Sequence, residues 1–196
     1  STTIASGRYL NDILQLVVTM TAEMMNSKIC SIMLLDEQKQ ELEIKATQSL
    51  SPEYVKKPNL KVGESVSGQA VKEKKPVTVL NVTTEAAYKY PEIARKEGIV
   101  SMLSVPMMIK DKVVGVINSY TSHEHSFSEE EVKILQSVAN QAAIAIENTK
   151  LFDKTIEMEE ALETRKVVEK AKGVLMLKYT MNEAEAFKII QQQSMN

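Results

Sequence analysis

Between Thr164 and Met181 the chain holds five basic residues, Arg165, Lys166, Lys170, Lys172 and Lys178, and one acid, Glu169. The nine residues before them, TIEMEEALE, hold four acids and no base, so the charge changes sign abruptly along what reads as one helix. Val167, Val168, Ala171, Val174 and Leu175 recur at the i, i+3, i+4, i+7 spacing of one apolar face, and Arg165, Lys166, Lys170 and Lys172 fall outside it. Such a basic end suits an anion. A charge run on its own is more often a solvated face, so the inference needs support from the rest of the chain.

Three other groups could do chemistry. His123-Glu124-His125 puts two imidazoles two residues apart, but a metal needs three or four ligands and Glu124 alone does not complete them. The segment reads as a solvent loop, with no metal site. Cys30 could be a nucleophile, yet it opens an apolar strand where a small buried residue is the usual occupant. Met102, Met107 and Met108 read as adaptable core. No acid, base and nucleophile come together, so the chain reads as a non-enzyme, and no cofactor is identified by its residues.

Composition bounds what these groups can serve. The 196 residues, 43% hydrophobic and 26% charged, suffice for one large domain or two small ones. A net charge of −2 creates no global field toward nucleic acid or membrane, so any polyanion site must be local. A single cysteine excludes an internal disulfide framework and fits a reducing cytoplasm. No apolar run approaches the roughly 20 residues of a membrane span, and the N-terminus as given lacks a basic stretch followed by an apolar core. From the missing initiator Met, Ser1 is expected to be a cut or processed end.

The elements that must position these residues follow from periodicity. A packing helix is expected over residues 7–25, from Leu10, Ile13, Leu14, Val17, Thr21, Met24 and Met25. Cys30 to Leu35 and Leu42 to Ala46 read as an antiparallel hairpin, and Ser51-Pro52 opens a helical turn. Ser67 is expected to cap a short helix from Gly68 to Glu73, followed by a strand from Val77 to Val82. Thr83 to Gly98 reads as a lid-like connection with a helix over 92–96. Met102 to Ile109 and Val113 to Tyr120 form a second hairpin. Ser128, with Glu131 as its capping-box partner, starts a helix that meets no breaker until Gly173.

The segments K-x-G-E-x-x-x-G-Q-A-V (Lys61 to Val71), KPVTVLNV (Lys75 to Val82), SMLSVPM (Ser101 to Met107), VVGVINSY (Val113 to Tyr120), FSEEEVKIL (Phe127 to Leu135) and ANQAAIAIEN (Ala139 to Asn148) resemble a GAF domain in type and order. The resemblance covers residues 5–150. It implies an α+β fold, an antiparallel sheet with helices on both sides: the first and last helices pack on one face, and loops and short helices enclose a small-molecule pocket on the other. Its ligand is not implied, because GAF domains share a fold and differ in what they bind. Strand alternation puts Asn118 and Tyr120 on one face, and Ser104 and Tyr88 are the further polar contacts expected there. The N-K…F-x-x-x-D-E signature of cyclic-nucleotide GAF domains is not found, and one cysteine is too few for GAF-type methionine sulfoxide reductases.

ALETRKVVEKAKGVLM (Ala161 to Met176), followed by NEAEAFKII (Asn182 to Ile190) and QQQSM (Gln191 to Met195), is similar to the ANTAR domain, the RNA-binding output module of bacterial transcription antiterminators. Ala171, Lys172 and Gly173 match its Ala-Lys-Gly, Ala186 and Phe187 its Ala-Phe, and Arg165 and Glu169 its Arg and Glu. The resemblance implies a three-helix bundle on a coiled-coil stem, assigned here to residues 164–196 and 151–163, with a third helix expected beyond Met195. The bundle is therefore expected to be partial. Thr180 stands where the family often has Gly. For a single-stranded RNA loop, Arg165 offers a bidentate fork, Lys166, Lys170, Lys172 and Lys178 offer point charges, Tyr179 an aromatic plane, and Gly173 a place for close approach.

Ile144, Asn148, Leu151, Thr155, Met158 and Leu162 follow the alternating four-three spacing of a two-stranded coiled coil, with Ala142, Ala143, Ala145 and Ile146 as a small-residue surface before it. A parallel homodimer with a long signalling helix is expected. Two function classes stand: a cytoplasmic regulator in which a small-molecule pocket controls binding of an antiterminator RNA stem-loop, and a ligand-sensing dimerisation module that signals to a protein partner.

Overall fold

The computed structural model describes residues 2–49 and 51–194. Ser1, Leu50, Met195 and Asn196 lie outside the described residues, and with them the reading of Ser1 as a cut end and the close of the QQQSM segment. In chain order the elements are α1 (Thr2–Met24), β1 (Ile29–Asp36), β2 (Glu41–Thr47), α2 (Pro52–Val55), β3 (Leu60–Lys61), α3 (Val66–Glu73), β4 (Val77–Val79), α4 (Pro91–Glu97), β5 (Met102–Ile109), β6 (Lys112–Tyr120), α5 (Glu129–Tyr179) and α6 (Glu183–Ser194). The six strands form one antiparallel sheet in the order β3-β2-β1-β6-β5-β4. The chain divides into two compact units, one over Thr3–Thr149 and one from Lys150 onward.

Local chemistry explains the hairpins. Asp36 Oδ1 accepts from the N–H groups of Gln38 and Lys39, both at 3.0 Å, and Gln40 takes a left-handed φ of 54°, which returns the chain into β2. Alternation along the strands then separates two apolar faces. On one, Cys30, Ile32, Leu103, Val105 and Ile117 are covered by Leu14, Val18 and Ala22 of α1 and by Leu135, Ala139, Ala142, Ala143 and Ile146 of α5. This corrects the sequence reading of Ala142, Ala143 and Ile146 as a surface for a second chain. Their small side chains seat α5 on its own sheet.

On the other face, Met33, Leu42, Val116, Met102 and Tyr120 meet Tyr54 of α2, Val66, Ala70 and Val71 of α3, and Ala94 of α4. Here the expected cap is also corrected. Ser65, extended at φ −143° and ψ 171°, caps α3, its Oγ accepting from the Gly68 N–H at 2.9 Å. Ser67 lies inside the first turn and is buried. Gly68 is required by the closeness of the chain: a Cβ there would fall 2.4 Å from the Lys61 carbonyl oxygen. β4 ends at Val79, short of the expected Val82; its last ladder partner is Met102, and beyond it the backbone bond from the Val82 N–H to the Val100 carbonyl, at 2.7 Å, holds the chain alongside.

α5 opens on the expected capping box, the Ser128 N–H donating to Glu131 Oε2 at 2.7 Å and the Glu131 N–H to Ser128 Oγ at 3.2 Å. It continues through Gly173 to Tyr179. In the second unit α6 begins with a second capping box, Asn182 and Glu185 exchanging two hydrogen bonds of 3.0 Å. Ala186 of α6 is fully buried. No helix among the described residues is long and apolar enough to cross a membrane.

Candidate functional site

Two regions gather the candidate residues. In the first unit, β1, β5 and β6 bring Ser31, Ser104 and Asn118 together beneath α2 and α3. Asn118 Oδ1 accepts from Ser104 Oγ at 2.7 Å and from Ser67 Oγ at 3.1 Å, and Tyr54 donates its phenol to Ser31 Oγ at 3.3 Å. All five residues are buried, so this small polar network is satisfied within an apolar surround. Tyr120 stands edge-on to Tyr54, ring centres 6.4 Å apart. Burial pushes the Tyr54 phenol up to about 12 and Tyr120 well above the ordinary tyrosine range.

Of the four expected pocket residues, Tyr88 and Tyr120 line a recess at the mouth of this region, together with Lys57, Ser65, Ser67 and Tyr90. Ser104 and Asn118 sit behind it, bonded to each other. The free space is only about 10 Å³, room for about one water. Sequence reasoning missed Tyr54 and Lys57. Tyr54 follows a recognisable Ser-Pro-Glu helical opening, but nothing local says that its ring reaches β6, and Lys57 is legible only as one of two adjacent lysines. The Lys57 Nζ rests 3.9 Å from the centre of the Tyr54 ring, and burial pulls it down to about 8.

In the second unit, Arg165, Lys166, Lys170, Lys178 and Tyr179 are exposed along α5. Lys166 pairs with Glu163 at 2.8 Å, an exposed contact of the weak i,i+3 kind, and Lys178 lies 5.6 Å from the centre of the Tyr179 ring. A Cβ at Gly173 would meet nothing within 4 Å, so that face is open. Lys172 departs from its sequence reading as a free point charge. It is 8% exposed and its ammonium lies 2.9 Å from Glu169 and 2.6 Å from Glu183, whose hydrogen bonds raise it above the ordinary lysine range. Glu183 comes from α6 across the turn, a partner that the spacing on α5 could not reveal.

The apolar stripe of α5 is only partly covered. Val167, Ala171, Val174 and Tyr179, with Ile189 and Ile190 of α6, line a groove of about 690 Å³, and Phe187 is 50% exposed. Ile144, Leu151, Met158 and Leu162, the apolar members of the four-three pattern, are all exposed as well. Elsewhere, His125 pairs with Glu131 at 2.8 Å beside Phe127, which ties the His-Glu-His loop to the start of α5. Cys30 is buried, and burial pushes its thiol up to about 12.

Comparison with known proteins accords with this geometry. The GAF domain model matches residues 8–147 and the ANTAR domain model residues 157–196. A methyl sulfide methyltransferase-associated sensor of Methanosarcina acetivorans is 31% identical over 166 residues, which cover 82% of this chain and 17% of that protein. The chain thus spans a small part of that relative. The GAF domain of a phosphoenolpyruvate-protein phosphotransferase from Coxiella burnetii superimposes with a TM-score of 0.67 at 26% identity, over 74% of this chain and 86% of that one. The free methionine-R-sulfoxide reductase of Neisseria meningitidis shares the fold at 19% identity and a TM-score of 0.62, over 72% of this chain and 80% of that one. GAF and ANTAR domains are sensory and regulatory modules, although that last likeness puts an enzyme on the same fold. A six-stranded antiparallel sheet enclosed by helices, followed by a helical unit that carries the basic motif, is the architecture these matches describe, and the chain belongs to the GAF domain family with an ANTAR domain after it.

Proposed function

We propose that the chain is a cytoplasmic, signal-responsive regulator in which residues 5–150 sense a small molecule and residues 164–196 bind an antiterminator RNA stem-loop, so that ligand state controls transcription termination. The observation that carries this reading is the exposure of Arg165, Lys166, Lys170, Lys178 and Tyr179 on one helix inside the ANTAR match. Cations take the phosphates, and the guanidinium and phenol planes take unstacked bases. Lys172 is assigned a positioning role, because its two carboxylate partners tie α6 to α5. The 151–163 stem is assigned to a parallel homodimer through the exposed seam that ends at Leu162. No catalytic role is assigned: the single thiol is buried and held far from its reactive form.

The test is binding of an RNA with two unpaired hexanucleotide loops, followed by fluorescence anisotropy. Arg165→Glu combined with Lys170→Glu should remove binding, and wild-type affinity should fall with salt at a slope of about 0.7 per phosphate contacted. Equal binding by the charge-reversed protein rejects RNA as the partner. Sedimentation of the full chain as a monomer at micromolar concentration rejects the dimer. The groove lined by Val167, Val174 and Ile189 favours a second reading, in which the helical unit takes an apolar segment of a protein partner instead.

A further inference from the structure

The recess over the tyrosines is lined by Lys57 and Lys89 and by no carboxylate. Lys57 is half-buried and makes no ion pair within 4 Å among the described residues; its contact is the face of the Tyr54 ring. Glu97 acts on it only through space, and one of that carboxylate's oxygens already accepts from Ser49 Oγ at 2.8 Å. An ammonium in this position has lost water with no carboxylate in contact to replace it. The first turn of α3 also lines the recess. Capping by Ser65 takes up the Gly68 N–H, which leaves the N–H groups of Val66 and Ser67 as the turn's remaining donors, and both residues line the recess. Met102 and the rings of Tyr88 and Tyr120 complete an apolar floor and wall.

We infer that this recess takes a small organic carboxylate, its anionic group held between the Lys57 ammonium and the first turn of α3 and its body lying among Tyr88, Tyr120 and Met102. The inference rests on the reading of the first unit as a small-molecule sensor and adds the ligand's charge and class. With about 10 Å³ free, the ligand enters only as the surrounding side chains part. Tyr88 belongs to the long connection between β4 and α4, where its N–H donates to the Glu85 carbonyl at 3.0 Å and its phenol is hydrogen-bonded to that of Tyr120, so entry of a ligand requires that pair of rings to separate. Closure then follows from the ligand filling the space that the rings leave.

Isothermal titration of the full chain with acetate and benzoate, each against its neutral amide, tests this. At least one acid should bind about tenfold or more tightly than its amide, and Lys57→Met should bring that acid down to the level of the amide. Amides that bind as well as the acids overturn the carboxylate assignment and leave the sensor reading standing. An acid preference that survives Lys57→Met overturns the role of Lys57. If neither acids nor amides bind at about 10 mM, both the carboxylate assignment and the sensor reading of this recess fail. Should Lys57→Met not fold, the acid-to-amide ratio of the wild-type chain still decides.

Discussion

The two units treat polar groups in opposite ways. In the sheet unit Asn118, Ser67 and Ser104 are buried and satisfy one another, while the apolar residues around them are sealed from water. In the helical unit Arg165, Lys170 and Tyr179 face solvent, and so do Val167, Val174 and Phe187. The first arrangement fixes one conformation, because an unpaired hydroxyl in an apolar interior is costly. The second leaves both charge and apolar area available to something else. A sensing unit with a defined interior and an output unit with an unfinished surface differ in what mutation will do to them.

Substitution of a fully buried core residue sets the upper end of that difference. Leu135→Ala, beneath the sheet, should cost about 2–5 kcal/mol in urea unfolding, whereas Val167→Ala should stay within about 0.5 kcal/mol. Equal costs would show that the helical unit is as tightly packed as the sheet unit. Next comes Asn118→Leu, which strands the Ser67 and Ser104 hydroxyls and should cost about 1–3 kcal/mol for each left without an acceptor. A neutral outcome would mean that water already serves them. Ser128→Ala removes one half of the α5 capping box and should lower stability by about 1 kcal/mol in the same assay.

The smallest effect is a titration. Lys57 should lose its proton near pH 8 in an NMR titration, below the ordinary lysine value of 10.5. Since the folded value is the lower one, protonation opposes folding; stability should rise as pH increases from about 8 toward 10.5, and Lys57→Met should abolish that rise. A Lys57 that titrates with the surface lysines would place the recess in water and erase its contrast with the exposed cations of α5.

Features set by neighbours in sequence were legible, and features set across the fold were not. Both capping boxes, Ser128 with Glu131 and Asn182 with Glu185, need only a three-residue spacing, and both hairpins need only alternation. The SVSG segment offered two serines, and the choice between Ser65 and Ser67 depends on which one is extended, a backbone state that their spacing does not reveal. Asn118 and Tyr120 were legible as sharing a face, while Tyr54, Lys57 and the pairing of Lys172 with Glu183 depend on packing or a turn that brings them to their partners. The charge reversal at Thr164 was plain in the sequence; that Lys172 is buried and engaged by two carboxylates was not.

Thr180, between α5 and α6, holds a left-handed φ of 51°. A β-branched residue resists that conformation by about 1–2 kcal/mol, a resistance that Gly would not offer. The turn therefore behaves as a loaded spring, kept bent by the Lys172–Glu183 pair and the burial of Ala186. When either tie loosens, Thr180 gains by straightening, so α6 should leave α5 in one cooperative step and Thr180→Gly should make that departure harder.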